Sequence, residues 1–355
     1  MKKHIYLVGG AVRDQIIGLP SQDKDYVAVG YEPSDFSHLE MVGKDFPVFL
    51  LPSWDELALA RLEKKVSSGY NGFSCETKNV TLEEDLQRRD LTINSIAYDE
   101  KTKQYIDPFN GIKDIENKLL RHTSLAFKED PLRVLRLARF QAKFGKEWSI
   151  AKETKKLVIS MQDELMFLKK ERVYKEINKV LEYKQWYLFF EFLHQLNLLK
   201  TIFPLIFESI NKDKSLETIK TQNISSKTVK LALLYTNIDF EKNKEFDIQL
   251  PKKQQNEIKK IVFNIKKLQG FYALNMEQKI NFFQEFKKNK KLLLEFFEVC
   301  KVIRIDVDYL LIEKIFDQID NYSPKNWIEN QVEKPNPKLI IEHLKEKYKT
   351  IILSF

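Results

Sequence analysis

Short apolar runs bounded by polar or glycine-containing breaks fill the first third of the chain. Apolar residues three to four positions apart fill the remainder. Ile5–Val8 reads as a strand. Gly9-Gly10 then turns into a helix over Ala11–Ile17, and Gly18-Leu19-Pro20 breaks it before a second strand, Tyr26–Val29. Pro47–Leu51 reads as a further strand, whereas Ala58–Glu63 is short and fits either period. Ser67–Asn79 is polar and holds glycine, which predicts a mobile loop, and Asn79–Thr81 opens the next element. The spacing then predicts a helix over Leu86–Tyr98 and a strand over Tyr105–Asp107 that ends at Pro108 and a turn at Asn110-Gly111.

From about residue 114 the helical period holds almost throughout. Helices are predicted over Lys128–Phe144, Glu171–Leu181, Lys184–Leu199, Lys252–Leu268, Met276–Cys300 and Pro337–Tyr348, with breaks at Pro204, Pro251, Pro324 and Pro335. The fold class is therefore α+β. A small β-sheet head with helices occupies residues 1–125, a helical neck 126–205, and a helical body and tail 206–355.

Composition adds three points. At 355 residues the chain exceeds what one core usually serves, which favours two or more domains. A net charge of +8 suits a polyanionic partner without requiring one. The two cysteines, Cys75 and Cys300, form no metal-binding spacing, and no run of about 18 apolar residues appears; a reduced, cytoplasmic protein is expected, with no membrane partner. Lys, Asn and Phe are enriched in the last 150 residues, which fits a genomic bias as well as an RNA-binding surface.

Candidate chemistry begins with Ile5–Gly30. Glycines at a strand-to-helix turn let backbone approach a phosphate, and the first N–H groups of the helix point at the anion, which makes Gly10 a candidate contact. Arg13 sits one turn in, where its fork reaches a further phosphate oxygen. Asp23 and Asp25 stand two apart at a strand start, so both carboxylates project to one face. Two such carboxylates repel unless a cation lies between them, and Mg²⁺ is the usual one beside a triphosphate. A lone Asp-x-Asp also opens many solvated strands. Together, however, GGAVRD and the following DKD resemble the catalytic signature of class II tRNA nucleotidyltransferases (CCA-adding enzymes) and their poly(A) polymerase relatives, in the DNA polymerase β-like superfamily.

Further motifs carry the resemblance in order. Arg88-Arg89-Asp90-Leu91-Thr92-Ile93-Asn94 is similar to the family's RRDxTxN segment, where the Arg-Asp pair recognises the ribose; a carboxylate accepting from a 2′-hydroxyl gives a physical reason for preferring ribonucleotides. Its other reading is an amphipathic helix with a polar first turn. Asp107-Pro108-Phe109-Asn110-Gly111 with Asp114 resembles the family's DPxxGxxD turn, which joins sheet to helices.

The segment Glu129-Asp130-Pro131-Leu132-Arg133 resembles the EDxxR nucleobase template. On their pairing edges cytosine and adenine both set an amino donor beside a ring-nitrogen acceptor, whereas uracil and guanine reverse the order. A carboxylate at Asp130 accepts from the amino group and a guanidinium at Arg133 donates to the ring nitrogen, and at i and i+3 both lie on one helix face. Arg133, Arg136 and Arg139 fan over about 120° of surface, with Val134, Leu135, Ala138 and Ala142 opposite as core. Arg136 and Arg139 would hold phosphate or fix the template carboxylate; a surface helix that binds RNA phosphate is the rival. Glu171-Arg172-Val173 with Glu176 resembles the family's ERVxxE segment, a support for the template helix.

The resemblance runs from about residue 4 to about residue 205, and the pattern is that of bacterial enzymes that carry an HD phosphohydrolase domain. Only His343 of the five histidines lies beyond residue 205 and none is followed by Asp, so such a hydrolase site is expected to be lost; Val229–Ile238 keeps only the apolar run. The resemblance implies a template-independent enzyme that adds CCA to the 3′ end of tRNA from CTP and ATP and releases pyrophosphate, with partners tRNA, CTP and ATP and no DNA. Asp23 and Asp25 would be catalytic and hold Mg²⁺; Gly10, Arg13, Arg89, Asp130, Arg133, Arg136 and Arg139 would bind the nucleotide. In the family a mobile loop before RRD helps switch the site from CTP to ATP, so retention of Ser67–Asn79 implies full CCA addition. The alternatives are CC or A addition alone, poly(A) synthesis, or tRNA binding without catalysis.

Overall fold

The computed structural model describes residues 2–21, 23–42, 48–65, 73–213, 219–220, 222–243 and 245–355. They form two compact units, residues 1–202 and 203–355.

The first unit is built on a sheet of seven strands, in the order β3-β4-β5-β2-β1-β8-β9. These are β1 (His4–Val8), β2 (Asp25–Val29), β3 (Glu40–Val42), β4 (Val48–Leu50), β5 (Glu56–Leu59), β8 (Ala97–Asp99) and β9 (Gln104–Ile106). Only β2 and β5 run parallel; every other pair is antiparallel. Alternation along the strands covers both faces of the sheet. Val27 and Val29 join Val8, Ala60, Val80, Leu86 and Ala97 in one core cluster, and Ala28 joins Phe36, Phe49, Leu57 and Leu59 in another. Asp25 shares the period-two face of Val27 and Val29.

One ambiguity is resolved and two expectations are corrected. The ambiguous Ala58–Glu63 is strand at both ends: β5 stops at Leu59 and β6 (Leu62–Lys65) follows. β6 pairs antiparallel with β7 (Phe73–Glu76), so the expected loop Ser67–Asn79 is in part a hairpin arm; residues 66–72 lie outside the described residues. The helix expected over Leu86–Tyr98 instead spans Leu82–Gln87 (α2, after α1, Gly10–Ile17). Its start is fixed by a capping box, in which the Thr81 hydroxyl accepts from the Glu84 N–H while the Glu84 carboxylate accepts from the Thr81 N–H. Past Arg89 the chain leaves the helix for a 3-10 turn at Thr92–Asn94 and then β8.

The Asp107 turn does what was expected of it. Both Asp107 oxygens accept from the N–H groups of Gly111 and Ile112, at 2.7 and 2.9 Å, and so cap α3 (Gly111–Glu116). Gly111 packs so close to the Thr92 turn that any Cβ would be driven into the Thr92 carbonyl. Helix α4 (Leu132–Phe144) follows, with Val134, Leu135, Ala138 and Ala142 buried, and α6 (Lys170–Val180) and α7 (Tyr187–Gln195) pack on it.

The second unit is helical, with Lys227–Leu234, Lys252–Gln269, Met276–Phe286, Lys290–Val302, Tyr309–Asn321 and Pro337–Leu353 as its main helices. The helix expected over Met276–Cys300 is two. Lys288 takes a left-handed conformation at φ 62°, and the Asn289 side chain caps the second helix by accepting from Leu292 N–H. That break is not marked by Gly or Pro. Much of the phenylalanine enrichment is core: Phe271, Phe282, Phe283, Phe286, Phe296 and Phe297 pack as one aromatic cluster. Cys300 is a buried free thiol, pushed up by that burial.

Candidate active site

All nine residues singled out from the sequence line one cleft of about 780 Å³ in the first unit: Gly10, Arg13, Asp23, Asp25, Arg89, Asp130, Arg133, Arg136 and Arg139. The head supplies the floor. Gly9 has φ 73°, the left-handed region, and a Cβ there would come within 2.9 Å of Arg89 Nη1. The constraint therefore falls on Gly9, while Gly10, whose Cβ would have ordinary room, opens α1 at the cleft.

Asp25 opens β2, level with Val8 on one neighbouring strand and Glu56 on the other. Asp23 precedes the strand and lines the same cleft. Glu56 was not foreseen, because the strand that carries it was not recognised. Its signal was the acidic pair Asp55-Glu56 at the head of an apolar run. Residues opposite each other on adjacent strands project to the same face, so Glu56 brings a third carboxylate beside Asp25. Burial pushes the Asp25 carboxyl above its ordinary range; Arg89 opposes this, and the like charges of Glu56, Asp23 and Asp55 add to the rise.

Two buried carboxylates organise the arginines. Asp85 is fully buried, with Oδ1 accepting from Arg88 Nη2 at 2.5 Å and Oδ2 from Arg89 Nη2 at 3.2 Å. Burial would raise its pKa, but Arg88 and Arg89 outweigh that and hold it low. Asp90 Oδ1 accepts from Leu91 N–H and Asn94 Nδ2, each at 2.9 Å, and Oδ2 accepts from Arg136 Nε at 2.7 Å. Here too burial pushes up, while Arg136 and the Asn94 hydrogen bond prevail, leaving the carboxyl well below the usual carboxylate range.

This last arrangement carries a pH prediction. A carboxyl depressed in the fold stabilises it at pH values above the unfolded pKa of about 3.9, and that stability is lost as pH falls further. Asp90→Ala is expected to cost about 3 kcal/mol at pH 7, the low end for a buried pair because Arg136 is partly solvated. The gap in melting temperature between wild type and variant should narrow below about pH 4. A gap constant from pH 7 to 3 would contradict the assignment.

Arg13 is buried, and its guanidinium is engaged: Nη1 donates to Asn94 Oδ1 at 2.6 Å and Nε to Asp14 Oδ1 at 2.8 Å, with the rings of Phe140 and Phe144 at 5.3 and 5.5 Å. Lys143, also missed, lines the cleft one turn beyond Arg139 and reaches Asp14 at 3.2 Å. Burial, then Arg13, pulls its pKa down.

Asp130, one of the pair expected to read the base, is gripped from α6. Arg172 donates through Nη2 to Oδ2 at 2.7 Å and through Nη1 to Oδ1 at 3.2 Å. Arg133 is buried and donates to the Ala126 carbonyl at 2.6 Å. Arg139 donates through Nε to Glu176 Oε2 at 2.5 Å, both side chains being buried. Asp130 is thus held by Arg172, whereas Arg136 and Arg139, expected to hold phosphate or to fix Asp130, bond to Asp90 and Glu176. The ERVxxE segment supplies both supporting contacts, as expected of it.

Residues 5–121 match the family described as poly A polymerase head domain, and residues 148–210 match a probable RNA and SrmB-binding site of polymerase A. Among curated relatives, the multifunctional CCA proteins of Tolumonas auensis and Shewanella denitrificans are each 52% identical, over 207 and 209 residues. Those stretches cover 56% and 57% of this chain and 50% of each relative, so the chain spans about half the length of the curated relatives it matches. Among solved structures, the Bacillus stearothermophilus CCA-adding enzyme in complex with CTP aligns with TM-score 0.71 at 21% identity, covering 99% of this chain and 89% of that one. The Thermotoga maritima CCA-adding enzyme complexed with tRNA aligns with TM-score 0.67 at 20% identity, covering 98% and 86%. At those identities the likeness is one of fold.

In the second unit, Val229–Leu234 lies within the buried helix Lys227–Leu234. Among the described residues, no group of three or more His, Cys, Asp or Glu side chains is placed to hold a metal ion, and no helix is long and apolar enough to cross a membrane.

Proposed function

We propose that the chain adds CCA to the 3′ end of tRNA, transferring CMP, CMP and AMP from CTP and ATP and releasing pyrophosphate. The observation that carries this is the meeting, in one cleft, of the Asp23–Asp25 pair and the Asp130–Arg133 pair. One suits phosphoryl transfer, the other a choice of base. The names of the curated relatives and of the solved structures support it.

In this reading the primer 3′-oxygen attacks the α-phosphorus, the bond to the bridging oxygen breaks, and pyrophosphate leaves. The donor set suits Mg²⁺: hard carboxylate oxygens, few in number, beside a space for phosphate, with like charge gathered around Asp25. When bound by Asp23 and Asp25, Mg²⁺ would supply Lewis-acid activation of the attacking oxygen and charge neutralisation on the leaving group. Arg89 and Arg136, each anchored by a buried carboxylate, face the triphosphate; Gly10 offers the helix N-terminus. Asp90, whose oxygens are engaged with Asn94 and Arg136, acts by positioning them rather than by accepting from a ribose. Arg13 and Arg139, held by Asn94 with Asp14 and by Glu176, brace the cleft wall. Asp130 and Arg133 read the base, with Arg172 aiming Asp130. A tRNA-processing role puts the protein in the cytoplasm.

Because the template is protein, base choice should not require RNA. Equilibrium binding of the four nucleoside triphosphates to the chain alone is expected to favour CTP and ATP over UTP and GTP by about tenfold or more. Equal binding of all four would remove base reading from the cleft.

A further inference from the structure

The helix Lys252–Gln269 of the second unit carries a pattern that the cleft does not use. Lysine doublets stand at Lys252-Lys253, Lys259-Lys260 and Lys266-Lys267, seven residues apart. Seven residues make almost two turns, so each doublet sits about 10.5 Å beyond the last with a drift of about 20°. The doublets therefore line up along one side. Ile258, Ile261, Val262, Ile265 and Leu268 take the other side and are buried.

Phe263 lies on the midline of that stripe, between the second and third doublets, and is 52% exposed. Lys267 Nζ sits 4.1 Å from its ring centroid. Lys259 Nζ lies 5.5 Å from the rings of Phe240 and Phe246. Lys260 Nζ donates to the Glu285 carbonyl at 2.6 Å and stands 3.9 Å from the Glu285 carboxylate. With Thr236–Glu241, the C-terminal half of the helix encloses a cleft of about 710 Å³ whose lining includes Phe240, Phe263 and the second and third doublets.

Helix stability does not account for this arrangement. The helix holds six lysines and one acidic residue, Glu257, so opposite-charge pairing at i±4 is nearly absent. Lys252 and Lys253 stand in the first turn, where the helix dipole disfavours cations. A lysine-rich genome would scatter lysines without centring them on an exposed aromatic ring. A cationic stripe interleaved with an aromatic platform has the chemistry of single-stranded nucleic-acid binding. An anionic membrane fits less well, because the apolar face of the helix is already packed in the core.

We propose that this stripe binds the phosphate backbone of the RNA substrate, with Phe263 stacking on an unpaired base. The proposal rests on the RNA-substrate reading above and names where the second unit would hold that RNA.

The test uses the full chain and a labelled tRNA lacking its 3′ CCA, titrated over about 50–200 mM salt. Changing Lys252, Lys253, Lys266 and Lys267 together to Gln is expected to lower the slope of log K against log salt by about three, and to weaken binding about tenfold or more at the low-salt end. Phe263→Ala is expected to weaken binding about fivefold or more with little change of slope. A control with Lys291, Lys301, Lys314 and Lys325 changed to Gln removes the same charge from exposed positions on other helices of the unit, and should leave binding within about twofold of wild type, well short of the stripe variant's loss. CTP binding should match wild type in all three. An unaltered slope in the stripe variant, or an equal loss in the control, would overturn the stripe while leaving the cleft reading intact. Wild-type protein that binds anionic vesicles but no tRNA would overturn both.

Discussion

Asp25→Asn is expected to lower the rate of CMP incorporation on the order of a thousandfold or more, while leaving the melting temperature equal or raised. The two effects have one cause. Burial first, then the like charges of Glu56, Asp23 and Asp55, lift the Asp25 carboxyl above its ordinary range, against the pull of Arg89. A carboxyl whose folded pKa is raised makes the fold less stable as pH rises and the charge appears. Removing that charge relieves the fold at neutral pH and takes away the negative group that the chemistry needs. Near-wild-type incorporation by Asp25→Asn, or a loss of activity matched by a fall in melting temperature, would mean that Asp25 is structural.

The double variant Asp130→Ala, Arg133→Ala is expected to lose discrimination rather than catalysis. Each hydrogen bond between a base and a charged group is worth about 1.5–3 kcal/mol, so preference for CTP over UTP should fall by roughly ten- to a hundredfold per bond. The geometry adds a graded companion, because Arg172 holds both Asp130 oxygens. Arg172→Ala leaves the carboxylate in place and frees its aim, so it should blur the same preference to a smaller extent. A helix that only binds RNA phosphate makes a different forecast: kcat/KM falls equally for all four nucleotides and the KM for tRNA rises. Measuring kcat/KM for CTP, ATP, UTP and GTP on the three proteins separates these outcomes.

What could be read from the sequence was local. Asp23 and Asp25 belong to one strand start, and Arg133, Arg136 and Arg139 to one helix with Asp130 in extended backbone just before it, so spacing within short stretches brought each set together. What escaped came from elsewhere in the chain. Glu56 meets Asp25 through parallel pairing of β5 with β2, and β5 is too short to show a period. Arg172 and Glu176 reach Asp130 and Arg139 from α6, a packing relation that spacing within either helix does not contain. The helix expected over Leu86–Tyr98 shows the opposite failure: the period was followed while the capping box at Thr81 and Glu84, a plain start signal, went unused. Arg13, expected on phosphate, and Arg139, expected on phosphate or on the Asp130 carboxylate, both line the cleft, but the sequence does not show the partners that hold them there. Asn94 with Asp14, and Glu176, are those partners.

In the function proposed above, this chain completes tRNA ends by choosing C and then A without a nucleic-acid template. The most direct measurement offers three tRNAs, ending before the first C, after C and after CC, with CTP and ATP separately and together, and reads product lengths. Extension to CC by CTP alone is expected on the first two, addition of one A by ATP alone on the third, and a full CCA end with both. Products that stop at CC with ATP at saturation, runs of A on any of the three, or no extension at all would contradict it.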